Sequence, residues 1–313
     1  MKKSKIMKIL VVVLSIFIIT GCTTTLKDPK TKKVVTYEDE KVKITLNENI
    51  LCKPTNDGLV KEYNKYKKQI DISKLPDCDK FKPSDANYNN LWETLVVKPL
   101  AWLTLKIGSL VKSYGIALII LSIIIRLILA PFTKKTAMQS ENMKKMQPEM
   151  DRINKKYENK TDQDSMTKKS METMALYKKY DINPFSSCLF AFIQIPLLFA
   201  FLEAINRTPV IFENKFFKLD MGTTISHGIM SKTWYLYVLL FVIILATSYL
   251  SFRKTLKDQT GMAKQMKSTI YIMLAMIVIA SFSLPVALGL YWIASSLFTV
   301  AQNLIVERKK AKK

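Results

Sequence analysis

The chain has 313 residues, in which long apolar runs alternate with lysine-rich segments. Its 48 Lys and Arg against 25 Asp and Glu give a formal net charge of +23. In a soluble protein that charge would suggest nucleic-acid binding. Lysine and arginine side chains beside apolar runs, however, are better placed to contact anionic lipid headgroups. One histidine and four scattered cysteines give too few ligands for a zinc site. We therefore expect membrane lipids as partners, no specific nucleic acid and no metal.

Residues 1–21 are predicted to be a lipoprotein signal peptide. Four lysines precede the apolar run 9–19, which is too short to span a bilayer. The run ends in Thr20-Gly21-Cys22, which resembles the bacterial lipobox, where a diacylglyceryl group is attached to the cysteine and the preceding peptide is removed. The mature chain is then expected to begin at lipid-modified Cys22. A plain signal anchor with an incidental cysteine is the alternative.

Residues 22–90 are expected to form a polar extracellular segment. Two short alternating stretches, 33–37 and 41–46, are compatible with strands. Cys52 and Cys78 can form a disulfide if this segment lies outside the cell, and two free thiols fit the sequence equally well. The sequence assigns the segment no function.

Apolar residues at mostly helical spacing run through residues 91–113. Trp92 and Trp102 share this stretch with Lys98 and Lys106. Because tryptophan and lysine favour the headgroup layer, we predict an amphipathic helix on the outer membrane surface. A core helix of a small soluble domain is the alternative.

Five apolar runs of near-spanning length form the predicted core, 114–306. They cover residues 115–132, 184–205, 234–252, 269–284 and 286–306. The connections 134–179 and 253–267 hold 12 and 5 Lys and Arg, the tail 307–313 holds 5, and the connection 206–233 holds 4. By the positive-inside rule the first three lie in the cytoplasm and the N-terminus lies outside. The predicted fold class is an all-α polytopic membrane protein with five transmembrane helices after a cleaved lipoprotein signal.

The segment 134–182 is predicted to be a cytoplasmic helical hairpin. Helical patterns over 136–157 and 165–180 are separated by a polar break at 158–162. Methionines recur three to five residues apart in both helices, at Met138, Met143, Met146, Met150, Met166, Met171 and Met174. This spacing favours methionine-rich inner faces, which serve either self-packing or the binding of substrate chains.

Arg126 is the main candidate for function. It lies 11 residues past the predicted outer end of its span, roughly 16 Å deep at 1.5 Å per residue. A guanidinium at mid-bilayer is costly unless it faces protein or water. The acidic residue Glu203 lies near the outer end of the second span, at a depth that differs by roughly 12 Å. A hydrated cavity therefore explains Arg126 better than a direct ion pair.

Further polar residues are candidates for the lining of this cavity. Ser122 lies one turn from Arg126, and Gln194 lies in the middle of the second span. A polar stripe of the fifth span contains Trp292, Ser295, Ser296, Thr299, Gln302 and Asn303. The predicted groove residues are Arg126, Ser122, Gln194, Trp292, Ser296 and Thr299. Ordinary interhelical hydrogen bonds explain such a stripe equally well. The spans hold no nucleophile–base pair, so we expect neither enzymatic activity nor a cofactor.

Three motifs occur in order on the expected spans. They are Gly115 to Ile120 with Arg126 and Leu129-Ala130-Pro131-Phe132-Thr133, then Asn183-Pro184 with Ile193-Gln194-Ile195-Pro196, and Gly289-Leu290-Tyr291-Trp292 with Leu297-Phe298-Thr299. Together they resemble the YidC/Oxa/Alb family of membrane protein insertases. The resemblance covers about 91–306, and the lipoprotein signal is similar to that of the Gram-positive-type form. Serines at Ser186 and Ser187, where glycines are common, and the length of 23–90 depart from the family pattern.

The resemblance implies a function and partners. A nascent span enters between lipid and a hydrated groove, and the groove arginine, Arg126, attracts its acidic outer portion. Trp292 occupies a position where the family often has an aromatic contact to substrate. The partners implied are nascent membrane proteins, the Sec translocon, and a ribosome contacted by the basic tail, and the location is the bacterial plasma membrane. A small-solute or ion channel is the alternative function.

Overall fold

The computed structural model describes residues 24–39, 42–85, 90–182, 186–257 and 261–311. The predicted signal peptide and the lipidation site Cys22 lie outside the described residues. The chain divides into two compact units. Unit 1 contains the residues up to Ile124, Ile195–Leu245 and Val278–Ala294, and unit 2 contains Ile125–Gln194, Ala246–Ile277 and the residues from Ser295 onward.

Residues 24–85, called here the N-terminal domain, form a small folded body in unit 1. Strands β1 (Thr36–Asp39) and β2 (Val42–Thr45) pair antiparallel, and helix α1 covers Asp57–Lys65. The side chain of Asn56 caps α1 by accepting from the backbone N–H groups of Gly58 and Leu59. The two strands confirm the alternating pattern, although β1 begins three residues later than predicted.

A hydrophobic core holds the N-terminal domain together. Its buried members are Leu26, Val35, Ile44, Leu46, Ile50, Leu59, Tyr63, Ile70, Ile72 and Phe212. Phe212 lies far along the chain from the others, in a short helix described below. The structure also joins Cys52 and Cys78 in a disulfide, with Cα atoms 4.9 Å apart. The region is therefore a packed domain and not a tether.

The helix predicted over 91–113 is present. A π-helical turn, Glu93–Val97, leads into α2 (Lys98–Val111), which ends at Lys112 in the left-handed conformation. Leucines 95, 103 and 110 are exposed, and leucines 100 and 105 are buried. The segment Glu93–Val111 is also long and apolar enough to cross a membrane, so its place on the membrane surface stays a prediction.

Helix α3 runs without interruption from Tyr114 to Lys156. The predicted span 115–132 and the predicted hairpin helix 136–157 are therefore parts of one continuous helix. Both Pro131 and Pro148 lie inside the helix. A proline removes one backbone hydrogen bond and kinks a helix, but residues 132–138 contain neither glycine nor another turn-forming residue that would end it.

Helix α4 (Gln163–Lys179) follows a turn and packs against the end of α3. The turn holds Asn159 in the left-handed conformation, and the Asp162 side chain accepts from the backbone N–H of Ser165 at 2.8 Å. This matches the predicted break at 158–162. Salt bridges from Lys156 to Glu172 and from Lys179 to Glu149 join the two helices.

The hairpin interior differs from the prediction on one side. Met146 and Met150 of α3 are buried against Leu176 and Ile182. The methionines of α4, however, are exposed: Met166, Met171 and Met174. The prediction of a methionine-rich inner face is right for α3 and wrong for α4. The face of α4 that packs against α3 carries Leu176, Tyr177 and Tyr180. The five-residue step from Met166 to Met171 rotates Met171 and Met174 away from that face.

After Ile182 the described residues form six further helices and one small strand hairpin. They are α5 (Ser186–Asn206), α6 (Pro209–Phe212), strands β3 (Lys215–Phe216) and β4 (Leu219–Asp220), α7 (Ile225–Gly228), α8 (Trp234–Lys257), α9 (Gly261–Ser283) and α10 (Val286–Ala311). The short α6 carries the Phe212 that completes the core of the N-terminal domain.

Within the described residues, four helical segments are long and apolar enough to cross a membrane. They are Glu93–Val111, Tyr114–Pro131, Trp234–Arg253 and Val286–Ile305. Three of them coincide with the predicted spans 115–132, 234–252 and 286–306. The other two predicted spans correspond to the shorter apolar segments Gln194–Asn206 and Ile270–Ser283. The protein is thus mainly helical with several apolar spans, and the count of five stays a prediction.

Candidate functional site

Arg126 of α3 is buried in unit 2 and is held by hydrogen bonds from its guanidinium to two other helices. Its Nε donates to Ser295 Oγ of α10 at 2.7 Å. Its Nη2 donates to the same hydroxyl and to Gln194 Oε1 of α5. Arg126 is only 5% exposed. Both of its acceptors are neutral oxygens. They fix the direction of the guanidinium without adding a negative charge of their own.

The polar stripe of α10 continues from this point. The hydroxyl of Thr299 donates to the backbone carbonyl of Ser295 at 3.0 Å, and Ser296 is buried. Further along, Gln302 Nε2 donates to the carbonyl of Ala130 in α3 at 3.2 Å. Polar groups of α10 thus contact α3 at Arg126 and again at Ala130, which lies one turn further along α3.

Two other predicted groove residues belong to unit 1. Ser122 is buried, and its hydroxyl donates to the Leu118 carbonyl in its own helix at 2.5 Å. Trp292 is half-buried in α10. The structure therefore brings Arg126 and Gln194 into contact and places Ser296 and Thr299 beside their partner Ser295. The roles of Ser122 and Trp292 stay predictions.

Comparison with known proteins decides the family. A family model described as 60Kd inner membrane protein matches residues 106–313. The Membrane protein insertase YidC of Oceanobacillus iheyensis is 32% identical over 230 residues, which cover 72% of this chain and 88% of that protein. The Membrane protein insertase MisCA of Bacillus subtilis is 34% identical over 241 residues, with 76% and 88% covered. This chain belongs to the YidC family of membrane protein insertases.

A solved YidC structure shares the fold. The structure described as "Active YidC insertase crystal structure with the first transmembrane domain resolved" aligns with a TM-score of 0.50 and 22% sequence identity. The alignment covers 78% of this chain and 51% of that chain, so this chain spans about half the length of the solved protein. As a YidC family member, the protein is an integral bacterial membrane protein that functions in membrane protein insertion.

The family match begins after the N-terminal domain, and a second polar cluster joins the matched and unmatched parts. It lies in unit 1 and consists of Trp92, Glu93, Lys98, Glu203 and Arg207, all buried. Arg207 Nη2 lies 2.9 Å from Glu93 Oε1, and its Nη1 lies 3.8 Å from Glu203 Oε2. Lys98 Nζ lies 3.4 Å from Glu93 Oε1, and Trp92 Nε1 donates to Glu203 Oε1 at 3.1 Å. The cluster holds two acids and two bases.

Sequence reasoning missed Ser295 as a direct partner of Arg126 and missed the second cluster. Ser295 belongs to the predicted stripe, but the predicted groove residue is its neighbour Ser296. Which of the two contacts Arg126 depends on how α10 is oriented towards α3, and the sequence does not give that orientation. The signal for the cluster was the spacing of Glu203 and Arg207, which places an acid and a base one turn apart. Among the described residues, no three potential metal-ligating side chains come together.

Proposed function

We propose that this YidC family member inserts nascent membrane proteins through a hydrated groove built around Arg126. The observation that carries the proposal is the buried guanidinium, which two helices orient through Gln194 and Ser295. A cation kept inside an apolar helix is expensive and marks a functional site. Thr299 and Ser296 extend the same polar surface along α10, and Ser122 and Trp292 are its proposed continuation.

The groove lowers the barrier that the polar part of a substrate meets in the bilayer. Polar groups without partners are strongly disfavoured in hydrocarbon, and hydroxyl and amide side chains offer such partners. The positive charge of Arg126 attracts the acidic outer portion of the incoming chain. Burial of roughly 20 apolar residues in lipid then drives the step, so no nucleotide is needed and no enzymatic step is involved.

The proposed arrangement has five transmembrane helices, an outer N-terminus and a lipid anchor on Cys22. The uneven Lys and Arg counts of the connections support the orientation, and the lipobox-like Thr20-Gly21-Cys22 supports the anchor. The hairpin of α3 and α4 is then cytoplasmic and is proposed to meet substrates first. The Sec translocon and the ribosome, contacted by the basic tail 307–313, are proposed partners.

The test is insertion into liposomes that contain the purified protein and no other translocase. A single-span substrate with an acidic outer tail is added, and the protease-protected fraction is measured for wild type, Arg126→Ala and Arg126→Lys. Arg253→Ala is the matched control, because Arg253 is exposed at the end of α8. We expect Arg126→Ala to lower insertion roughly tenfold, equivalent to about 1.4 kcal/mol, and the lysine variant and the control to stay near wild type.

Two outcomes contradict the proposal. Insertion by wild type no higher than in empty liposomes, together with anion flux through the protein, would favour a small-solute channel. Equal insertion by wild type and both Arg126 variants would keep the insertase function but remove Arg126 from the groove mechanism.

A further inference from the structure

The N-terminal domain is bound to the end of α5 and to the connection that follows it by hydrogen bonds between four pairs of residues. Asn47 Nδ2 donates to the Asn206 carbonyl at 2.8 Å. The backbone N–H of Leu51 donates to the Arg207 carbonyl at 2.7 Å, and Arg207 Nε donates to the Asn49 carbonyl at 2.6 Å. Further along, both the backbone N–H and the hydroxyl of Thr55 donate to the Glu213 carboxylate.

The contact is also hydrophobic. Phe212 of α6 is buried in the core of the N-terminal domain, between residues more than 130 positions earlier in the chain. Because this core is incomplete without Phe212, the domain and the connection after α5 form one folded body within unit 1. A domain that only carried a binding surface on a flexible tether would not need such a shared core.

Arg207 is the residue at which this body meets the helices. Its backbone carbonyl and Nε face the N-terminal domain, while Nη2 and Nη1 face Glu93 and Glu203. Glu93 begins the helical segment Glu93–Val111 and also pairs with Lys98, which is 1% exposed. Glu203 lies in the last turn of α5. One guanidinium therefore contacts the domain, the start of the helical segment and the end of α5.

Buried ion networks are poor sources of net stability, because the cost of removing each charge from water offsets most of the attraction. They are, however, specific in geometry, since the loss of one partner leaves an uncompensated buried charge. The cluster contains two acids, Glu93 and Glu203, and two bases, Lys98 and Arg207, so the charges of these four residues balance. Such a cluster is suited to fixing the relative placement of the elements that carry its members.

We propose that Arg207 is a positioning residue for insertion and that the N-terminal domain serves to hold it in place. The domain covers Arg207 with the segment from Asn49 to Leu51, and Arg207 in turn fixes the segment Glu93–Val111 to the outer end of α5. The disulfide between Cys52 and Cys78 restrains the same covering segment, because Cys52 directly follows Leu51. The inference rests on the proposed function, since α5 is also the helix that carries the groove residue Gln194.

The test compares three variants of the full-length protein in liposomes. Arg207→Gln leaves two buried acids with one base. The double variant Glu203→Gln/Arg207→Gln removes one charge of each sign, keeps the Glu93–Lys98 pair and keeps an acceptor for Trp92. Lys74→Gln is the matched control, because Lys74 pairs with Asp71 in the same domain but its side chain is 82% exposed.

Two quantities are measured for each variant: amide hydrogen exchange of the segment 93–111 and the rate of substrate insertion. For Arg207→Gln we expect exchange at least about tenfold faster than wild type and insertion reduced by a similar factor. The double variant is expected to recover most of both losses, and Lys74→Gln to match wild type. Unchanged exchange in α4 would show that unit 2 remains folded in every variant.

Three results would overturn the proposal: no change in Arg207→Gln, faster exchange without loss of insertion, or a double variant no better than Arg207→Gln. Failure of the proposed function looks different, because wild type itself would then insert no substrate. In that case the exchange data still report whether Arg207 fixes the segment 93–111.

Discussion

Removal of the disulfide is expected to loosen the N-terminal domain by an amount that follows from its loop length. Cys52 and Cys78 are both buried and are separated by 26 positions. In the chain-entropy model, closing a loop of that length removes about 12 cal/mol/K from the unfolded chain, or roughly 3.5 kcal/mol at 25 °C. The same free energy corresponds to a roughly 400-fold rise in the equilibrium for opening the domain.

The assay is native-state hydrogen exchange of the double variant Cys52→Ala/Cys78→Ala, followed at the amides of Leu46 and Tyr63. These two residues lie in the core of the domain, so their amides report its opening and not fraying at an edge. Wild type treated with a reductant should behave like the variant. Amides of α4 serve as the control and should not change.

A rise of less than about tenfold at Leu46 and Tyr63 would refute the reasoning, because the loop would then contribute far less than its closure entropy. An equal rise in α4 would also refute it, since the effect would then be general and not confined to the cross-linked domain.

Three further predictions concern buried and titrating groups. Met146→Ala should destabilise the hairpin by about 2–4 kcal/mol, because Met146 is fully buried, whereas Met171→Ala on the exposed face should change its stability by less than about 0.5 kcal/mol, both measured by hydrogen exchange in α4. The hydrogen bond from Lys179 lowers the pKa of Glu149 from its ordinary value of 4.5. This ion pair therefore stabilises the hairpin above pH 4.5, and the stabilisation is lost as the pH falls through the lowered pKa. Lys179→Met should raise the Glu149 pKa in a carboxyl NMR titration. Burial raises the pKa of Tyr63 above its ordinary value of 10.0, so the N-terminal domain should lose stability as the pH rises above that value. Tyr63→Phe should weaken this dependence in exchange measured against pH.

Helix positions were predictable where a physical length sets them. The predicted runs 234–252 and 286–306 begin at the same residues as α8 and α10. The bilayer requires about 20 apolar residues, and the two runs are preceded by the polar Thr233 and by Pro285. The continuity of α3 beyond its apolar part was less predictable. The apolar run ends near Phe132, but α3 continues to Lys156 through Pro131 and Pro148. Helices tolerate proline where neighbouring elements compensate for the lost hydrogen bond.

The site was predictable to the extent that single residues reveal it. Arg126 was found because a cation in an apolar run is rare and costly. The sequence did not show whether Ser295 or Ser296 contacts Arg126, since that depends on the rotation of α10 relative to α3. The contact between Glu93 and Arg207 joins positions over 100 residues apart, and a pattern within one sequence carries no information about such a pair. The role that we propose for the N-terminal domain was hidden for the same reason.

We propose that substrates pass along the polar face of α10. The most direct measurement places a photo-crosslinking amino acid at Thr299, on that face, or at Leu297, which is exposed on another face of the same helix. A stalled single-span substrate is then illuminated during insertion. The account predicts strong crosslinks to the substrate from position 299 and mainly to lipid from position 297. Equal substrate crosslinking from both positions, or stronger crosslinking from position 297, would contradict it.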